Sequence, residues 1–164
     1  MVGKWQINRL LGTPGDTIER LRGRARDTGV NAGSVFDTRG GGVRVAVDAT
    51  VPWTDARFWR LGLFDAGETN GFNLQYGQRL ALGDWQPRNT WWRLGVHASH
   101  VGLGVDWGDP SRPTLAADLY NANEPRLDLL GSFRLQRRLD ASLGLDNVFR
   151  NPSPVIGLRL HYDR

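Results

Sequence analysis

From about residue 29 the chain alternates apolar and polar positions with a period of two. Val43, Val45, Val47, Ala49, Val51 and Trp53 interleave with Arg44, Ala46, Asp48 and Thr50, which marks a strand with two chemically different faces. The pattern recurs over 59–63, 72–76, 92–98, 101–107, 115–119, 127–135, 141–145 and 156–162. Between these runs stand turn formers: Gly at 40–42, Asp65 and Gly67, Gly83-Asp84, Asn89, Gly108-Asp109-Pro110, the Asn121 to Pro125 stretch, and Asn151-Pro152-Ser153-Pro154. With a weaker strand near 30–38, the chain predicts about ten strands of roughly 8–11 residues; eight or twelve also fit. Short connections make sequence neighbours pair as an antiparallel meander. The predicted fold class is therefore all-β: an up-and-down barrel over 29–164, preceded by a partly helical linker over 1–28. In that linker Asp16 and Glu19 are spaced as a capping box. Ile18, Leu21 and Ala25 there form a thin stripe among Arg20, Arg22, Arg24 and Arg26.

The polar face carries Arg44, Asp48, Arg60, Arg79, Arg93, Asp106, Asp118, Asp128, Arg134, Asp146 and Arg159, with glycine between the long side chains. The apolar face carries Val45, Val47, Leu61, Leu94, Val96, Leu103, Val105, Leu129, Phe133 and Leu158. Two architectures fit. A soluble barrel would line a cavity with the apolar face. A transmembrane barrel would turn that face to lipid and fill a narrow lumen with the polar one. Three features favour the second. Glycine on the polar face suits a tight lumen. Lys4 is the only lysine, although a watered exterior uses lysine freely. Trp53, Trp59, Trp91, Trp92, Trp107, Tyr120 and Tyr162 fall near predicted strand ends, as an interfacial girdle would.

Composition changes this picture little. Among 164 residues, 21 glycines and 7 tryptophans argue against a helical globule. The net charge of +4 comes from arginines spread along the chain without a basic run, so no nucleic-acid partner is expected. The absence of cysteine excludes disulfides and thiol chemistry. No stretch reaches the length of a transmembrane helix. No signal peptide follows Met1, so the expectation is a piece excised from a longer protein. His97 and His100, three apart, are expected on opposite faces, and no converging metal ligands are seen. Ser99-His100 and Ser132 are not ordered into a triad, and no phosphate loop or nucleophile elbow is present. No enzyme activity, catalytic residue, metal or cofactor is expected.

The runs 58–80, 92–109, 115–135 and 143–149 resemble the C-terminal region of MCE-family (MlaD-like) lipid-transport proteins. Gly102, Gly104 and Asp106, then Asp118, Tyr120, Asn123, Pro125, Arg126 and Asp128, carry the likeness. The resemblance implies an outer-membrane barrel at the end of a phospholipid bridge. It further implies an inner-membrane ABC permease and ATPase as partners, reached through a missing N-terminal part, membrane lipids as cargo, and homo-oligomerisation through a missing MCE domain. The alternatives are a soluble periplasmic lipid-binding barrel with an apolar interior, or an outer-membrane lipid-modifying enzyme.

Overall fold

The computed structural model describes residues 28–65, 70–81 and 89–162. The predicted linker helix lies outside these residues, apart from Thr28. Ten strands follow in order: β1 (Gly29–Asp37), β2 (Val43–Thr54), β3 (Arg57–Phe64), β4 (Gly71–Arg79), β5 (Thr90–His97), β6 (His100–Asp109), β7 (Arg112–Tyr120), β8 (Arg126–Gln136), β9 (Leu139–Asp146) and β10 (Ser153–Tyr162). Each pairs antiparallel with its sequence neighbours, and β1 pairs with β10 to close the barrel, Val30 opposite Tyr162. Closure leaves no strand edge to be satisfied from outside.

The tightest connection shows how local chemistry sets register. Ala98 and Ser99 both take positive φ, 48° and 65°, the conformation of a two-residue hairpin turn. The turn places His97 directly opposite His100. Cross-strand partners share a face, so the two histidines both point inward. The expectation of opposite faces, whether along a strand or across a tight turn, is corrected: the residues flanking a two-residue hairpin turn pair directly and so share a face.

The strand direction defines two ends. The terminal end holds Gly29, Tyr162 and the connections after β2, β4, β6 and β8. The far end holds the connections after β1, β3, β5, β7 and β9. Irregularities at Pro52/Thr54, Trp107/Gly108 and Arg134/Gln136 all fall at the terminal end, as bulges at a barrel rim do.

The inside is the polar side. Among the described residues the buried apolar side chains are Phe58, Trp91, Tyr120 and Val155, while Asn31, Gln75, Arg93, Asp106, Asp140, Ser142 and His161 are all buried. Every strand instead presents large apolar side chains outward, with Leu103 54% exposed, Ile156 55% and Phe133 60%. Packing within this barrel is therefore mainly polar pairing plus aromatic stacking, with most aliphatic residues on the outer wall and Val155 among the few inside.

Candidate functional site

The lumen is where chemically distinctive side chains converge. Its centre is Arg93 on β5, which is 1% exposed. Arg93 Nη1 donates to Gln75 Oε1 at 2.6 Å and to Asp118 Oδ1 at 2.7 Å. Its Nη2 donates to Asp106 Oδ1 at 2.8 Å and to Asp118 Oδ2 at 3.0 Å. One guanidinium thus ties β4, β6 and β7 to β5. Arg60 Nη2 reaches the other oxygen of Asp106 at 3.0 Å and donates to the Pro110 carbonyl. A planar fork with several donors suits such multiple pairing, which a lysine could not make.

Space for the fork comes from glycine. A Cβ on Gly104 would lie 2.6 Å from Arg93 Cζ and 2.7 Å from Asp118 Oδ1. Gly77 plays the same part under the ring of Phe58.

Toward the terminal end, His161 Nδ1 meets Asn31 Oδ1 at 2.5 Å. Its Nε2 lies 2.7 Å from Asp140 Oδ2, an ion-pair distance without hydrogen-bond alignment. Arg112 binds both oxygens of Asp140 and donates to the Arg137 carbonyl. Asn31 Nδ2 donates to Asp48 Oδ1 at 3.1 Å and to the Ser111 carbonyl at 2.9 Å. Phe58 and Trp91 pack edge to face above this mouth at 5.6 Å, and Trp91 Nε1 donates to the Gly108 carbonyl.

Toward the far end, the Tyr120 hydroxyl donates to Asp128 Oδ2 at 2.9 Å, and the Asn147 N–H donates to Asp128 Oδ1. Arg44 pairs with Asp146 at 3.1 Å. The rings of His97 and His100 both lie against Tyr120, at 4.9 and 6.3 Å. At the water-open mouth, Asp37 accepts from the Ser153 hydroxyl and from the backbone N–H of Arg39 and Gly40. Those donors, Ser153 first, hold its carboxyl down at about 2. Between the two ends lies a cavity of about 140 Å³, bordered by Arg60, Gln75, Arg93, His97 and Asp118 on one side and by Val35, Leu130 and Val155 on another.

Arg44, Asp48, Arg60, Arg93, Asp118, Asp128, Asp146 and Arg159 all line this cavity, with Asp106 buried behind Arg93. Arg79 stands at the terminal mouth over the Trp91 ring, 4.8 Å from its centroid, and Arg134 lies opposite Asp140 at the same end. Val45, Val47, Leu61, Leu94, Leu103, Phe133 and Leu158 lie exposed on the outer wall, and Val96, Val105 and Leu129 half-exposed. Two of the aromatics expected at an interface are inside: Trp91 and Tyr120 are each 5% exposed. Their neighbours explain it, since Trp91 shares parity with Arg93, and Tyr120 with Asp118. Gln75, Asn31, Arg112, Asp140 and Tyr120 were missed as members of the network. Strand parity was the signal for Gln75 and Tyr120; the partners were not legible from it.

Ser99, His100 and Ser132 are not brought together. The Ser99 hydroxyl accepts from the Phe72 N–H, His100 Nδ1 sits on the Ala98 carbonyl, and Ser132 lies opposite Ser142. Among the described residues no group of three metal-ligating side chains converges.

A closed antiparallel barrel with a hydrogen-bonded lumen defines a class, the small antiparallel β-barrels. Within that class the chain belongs to a family of lipocalin-like domains, whose model matches residues 65–163. A solved S-type phycobiliprotein lyase from Guillardia theta is similar over 90% of this chain and 92% of its own, with a TM-score of 0.39 and 9% identity. No curated protein matches the chain. The lipocalin-like family overturns the resemblance to MCE/MlaD proteins, and with it the outer-membrane module of a phospholipid-transport bridge. The partners inferred from that resemblance lose their support. The misleading residues have a structural reason to be there: Gly102, Gly104, Asp106 and Asp118 are inward positions of β6 and β7, where a tight charged lumen selects glycine and aspartate regardless of ancestry.

Proposed function

We propose that this lipocalin-like barrel is a ligand-binding module whose outer wall rests in lipid and whose polar lumen holds a small polar ligand. The observation that carries the reading is the inverted burial. Arg93, Gln75 and Asp106 are almost wholly enclosed, while all ten strands expose Val, Leu, Ile, Phe, Trp or Tyr outward. Such a continuous apolar wall greatly exceeds the patches a water-exposed monomer carries. The central cavity is small, and its donors and carboxylates suit a compact ligand with both hydrogen-bond donors and acceptors. The closed barrel satisfies its own backbone, as an apolar surrounding requires. The reading assigns the chain no reaction.

The test is refolding from urea with and without detergent or vesicles. Folding is expected only with an amphiphile present, with a mobility on gels that changes on heating. A monodisperse, folded chain in plain buffer overturns the lipid half of the reading.

A second reading has one specific support, the family match over residues 65–163. It takes the chain as a ligand-binding barrel free in water. Its ligand would still meet a polar lumen, so it differs in surroundings rather than in site, and the same refolding experiment separates the two.

A further inference from the structure

The outward tryptophans and tyrosines are not spread over both rims. Trp59, Tyr76, Trp92, Trp107 and Tyr162 point outward, and each lies within three residues of a strand end at the terminal end. Trp53 joins them at that rim, one residue from the end of β2. Trp59, Tyr76 and Trp92 form a continuous row across β3, β4 and β5, with ring centroids 5.4 and 5.9 Å apart. At the far end the aromatics on the outer surface are Phe36, Phe72 and Phe149. Among the described residues no tryptophan or tyrosine faces outward there.

Arginine is more abundant at the same end. Among the described residues the terminal end exposes Arg57, Arg79, Arg134, Arg137 and Arg138 against Asp55 and Asp109. Arg138 lies over the outward Tyr162 ring, which holds this cation at the level of the aromatics, while Arg79 lies over the inward Trp91 ring at the mouth. At the far end the exposed charges among the described residues are Arg39, Arg126 and Arg150 against Glu124, which pairs with Arg150.

Indole and phenol rings settle where hydrocarbon meets headgroups, because one part is apolar and another donates a hydrogen bond. Guanidinium groups just beyond them lie where phosphates would be, and arginine pairs with phosphate through two parallel hydrogen bonds. Phenylalanine has no polar atom and gives no such preference for the boundary. Ring chemistry therefore selects the terminal end, where, among the described residues, five exposed arginines stand against three at the far end.

We infer that the terminal end is a docking surface for the phosphate-bearing headgroups of anionic phospholipids, with the far end making no comparable contact. This rests on the lipid-embedded reading above and goes beyond it by giving the barrel a direction and a lipid preference. Each engaged arginine should favour anionic over zwitterionic lipid roughly fivefold.

The test uses the whole chain refolded into vesicles of phosphatidylcholine with a fixed share of phosphatidylglycerol, one of the two lipids being brominated to quench tryptophan. Brominated phosphatidylglycerol should quench more than brominated phosphatidylcholine at equal mole fraction. The excess should shrink in Arg57→Gln/Arg79→Gln and in high salt, and persist in Arg39→Gln/Arg126→Gln. Heat-dependent gel mobility checks that each variant is folded. Should the first pair fail to fold, Arg137→Gln/Arg138→Gln takes its place with the same expectation. Equal quenching by the two lipids, or equal loss from variants at both ends, overturns the inference and leaves the lipid-embedded reading standing. A chain that enters neither type of vesicle overturns both.

Discussion

Arg93 lies opposite Gly104 across the β5–β6 ladder, yet its guanidinium binds Asp106, two residues further along β6, at 2.8 Å. The offset is possible because Gly104 has no side chain to block the reach. The same fork holds Asp118 and Gln75, so a single cation fixes three neighbouring strands to its own.

Arg93→Met should therefore be among the most damaging substitutions. It leaves Asp106 and Asp118 short of a partner in an enclosed lumen, a loss of about 3–5 kcal/mol for a broken buried pair. Arg93→Lys should recover only part of that, since one ammonium cannot span the acceptors. Urea-unfolding midpoints of the refolded barrel measure both; equal stability of Arg93→Met and wild type would refute the central role of the cluster.

Gly104→Val tests the space itself. The added atoms would meet Arg93 and Asp118, and the expected cost is about 1–3 kcal/mol of overpacking. Gly42→Ala is the control, because a Cβ there meets nothing within 4 Å. Similar melting temperatures for the two variants would contradict the close approach.

Leu103→Arg addresses the outer wall. In lipid an arginine near mid-strand should cost about 2–4 kcal/mol. On a wall facing water it should change stability by no more than about 0.5 kcal/mol. The unfolding free energy in vesicles decides between them.

Asp37 gives a pH signature. Its carboxyl is held at about 2 by the Ser153 hydroxyl and the Gly40 and Arg39 N–H groups, below the usual aspartate value of about 3.9. A depressed folded-state value means the stabilisation is complete above the unfolded value and disappears as pH falls toward 2. Lowering pH from 5 to 2 should cost wild type more stability than Asp37→Asn. Parallel pH curves would remove Asp37 as the cause.

Much of the fold was legible because a strand's period of two is a local property. Val43 to Trp53 and Trp92 to Ala98 state their faces in their own sequences. The geometry of the turn at Ala98-Ser99 was less legible, since neither residue is a typical left-handed former, and the direct pairing of His97 with His100 across it was not read from their spacing. Trp91 and Tyr120 were placed at an interface by residue type, although the parity of Arg93 and Asp118 put them inside. The family resemblance failed for a related reason: glycine and aspartate at alternate positions report the demands of a narrow lumen.

By itself the sequence determined the strands, their number to within two, and which residues share each face, because these follow from steric alternation along one chain. Only the tertiary structure decided that β1 closes on β10, that Arg93 serves Gln75, Asp106 and Asp118 together, and that the outward indoles and phenols gather at one end. Those relations depend on the stagger between neighbouring strands and on the direction of each strand around the closed ring. Such quantities arise between segments and are encoded in no single one.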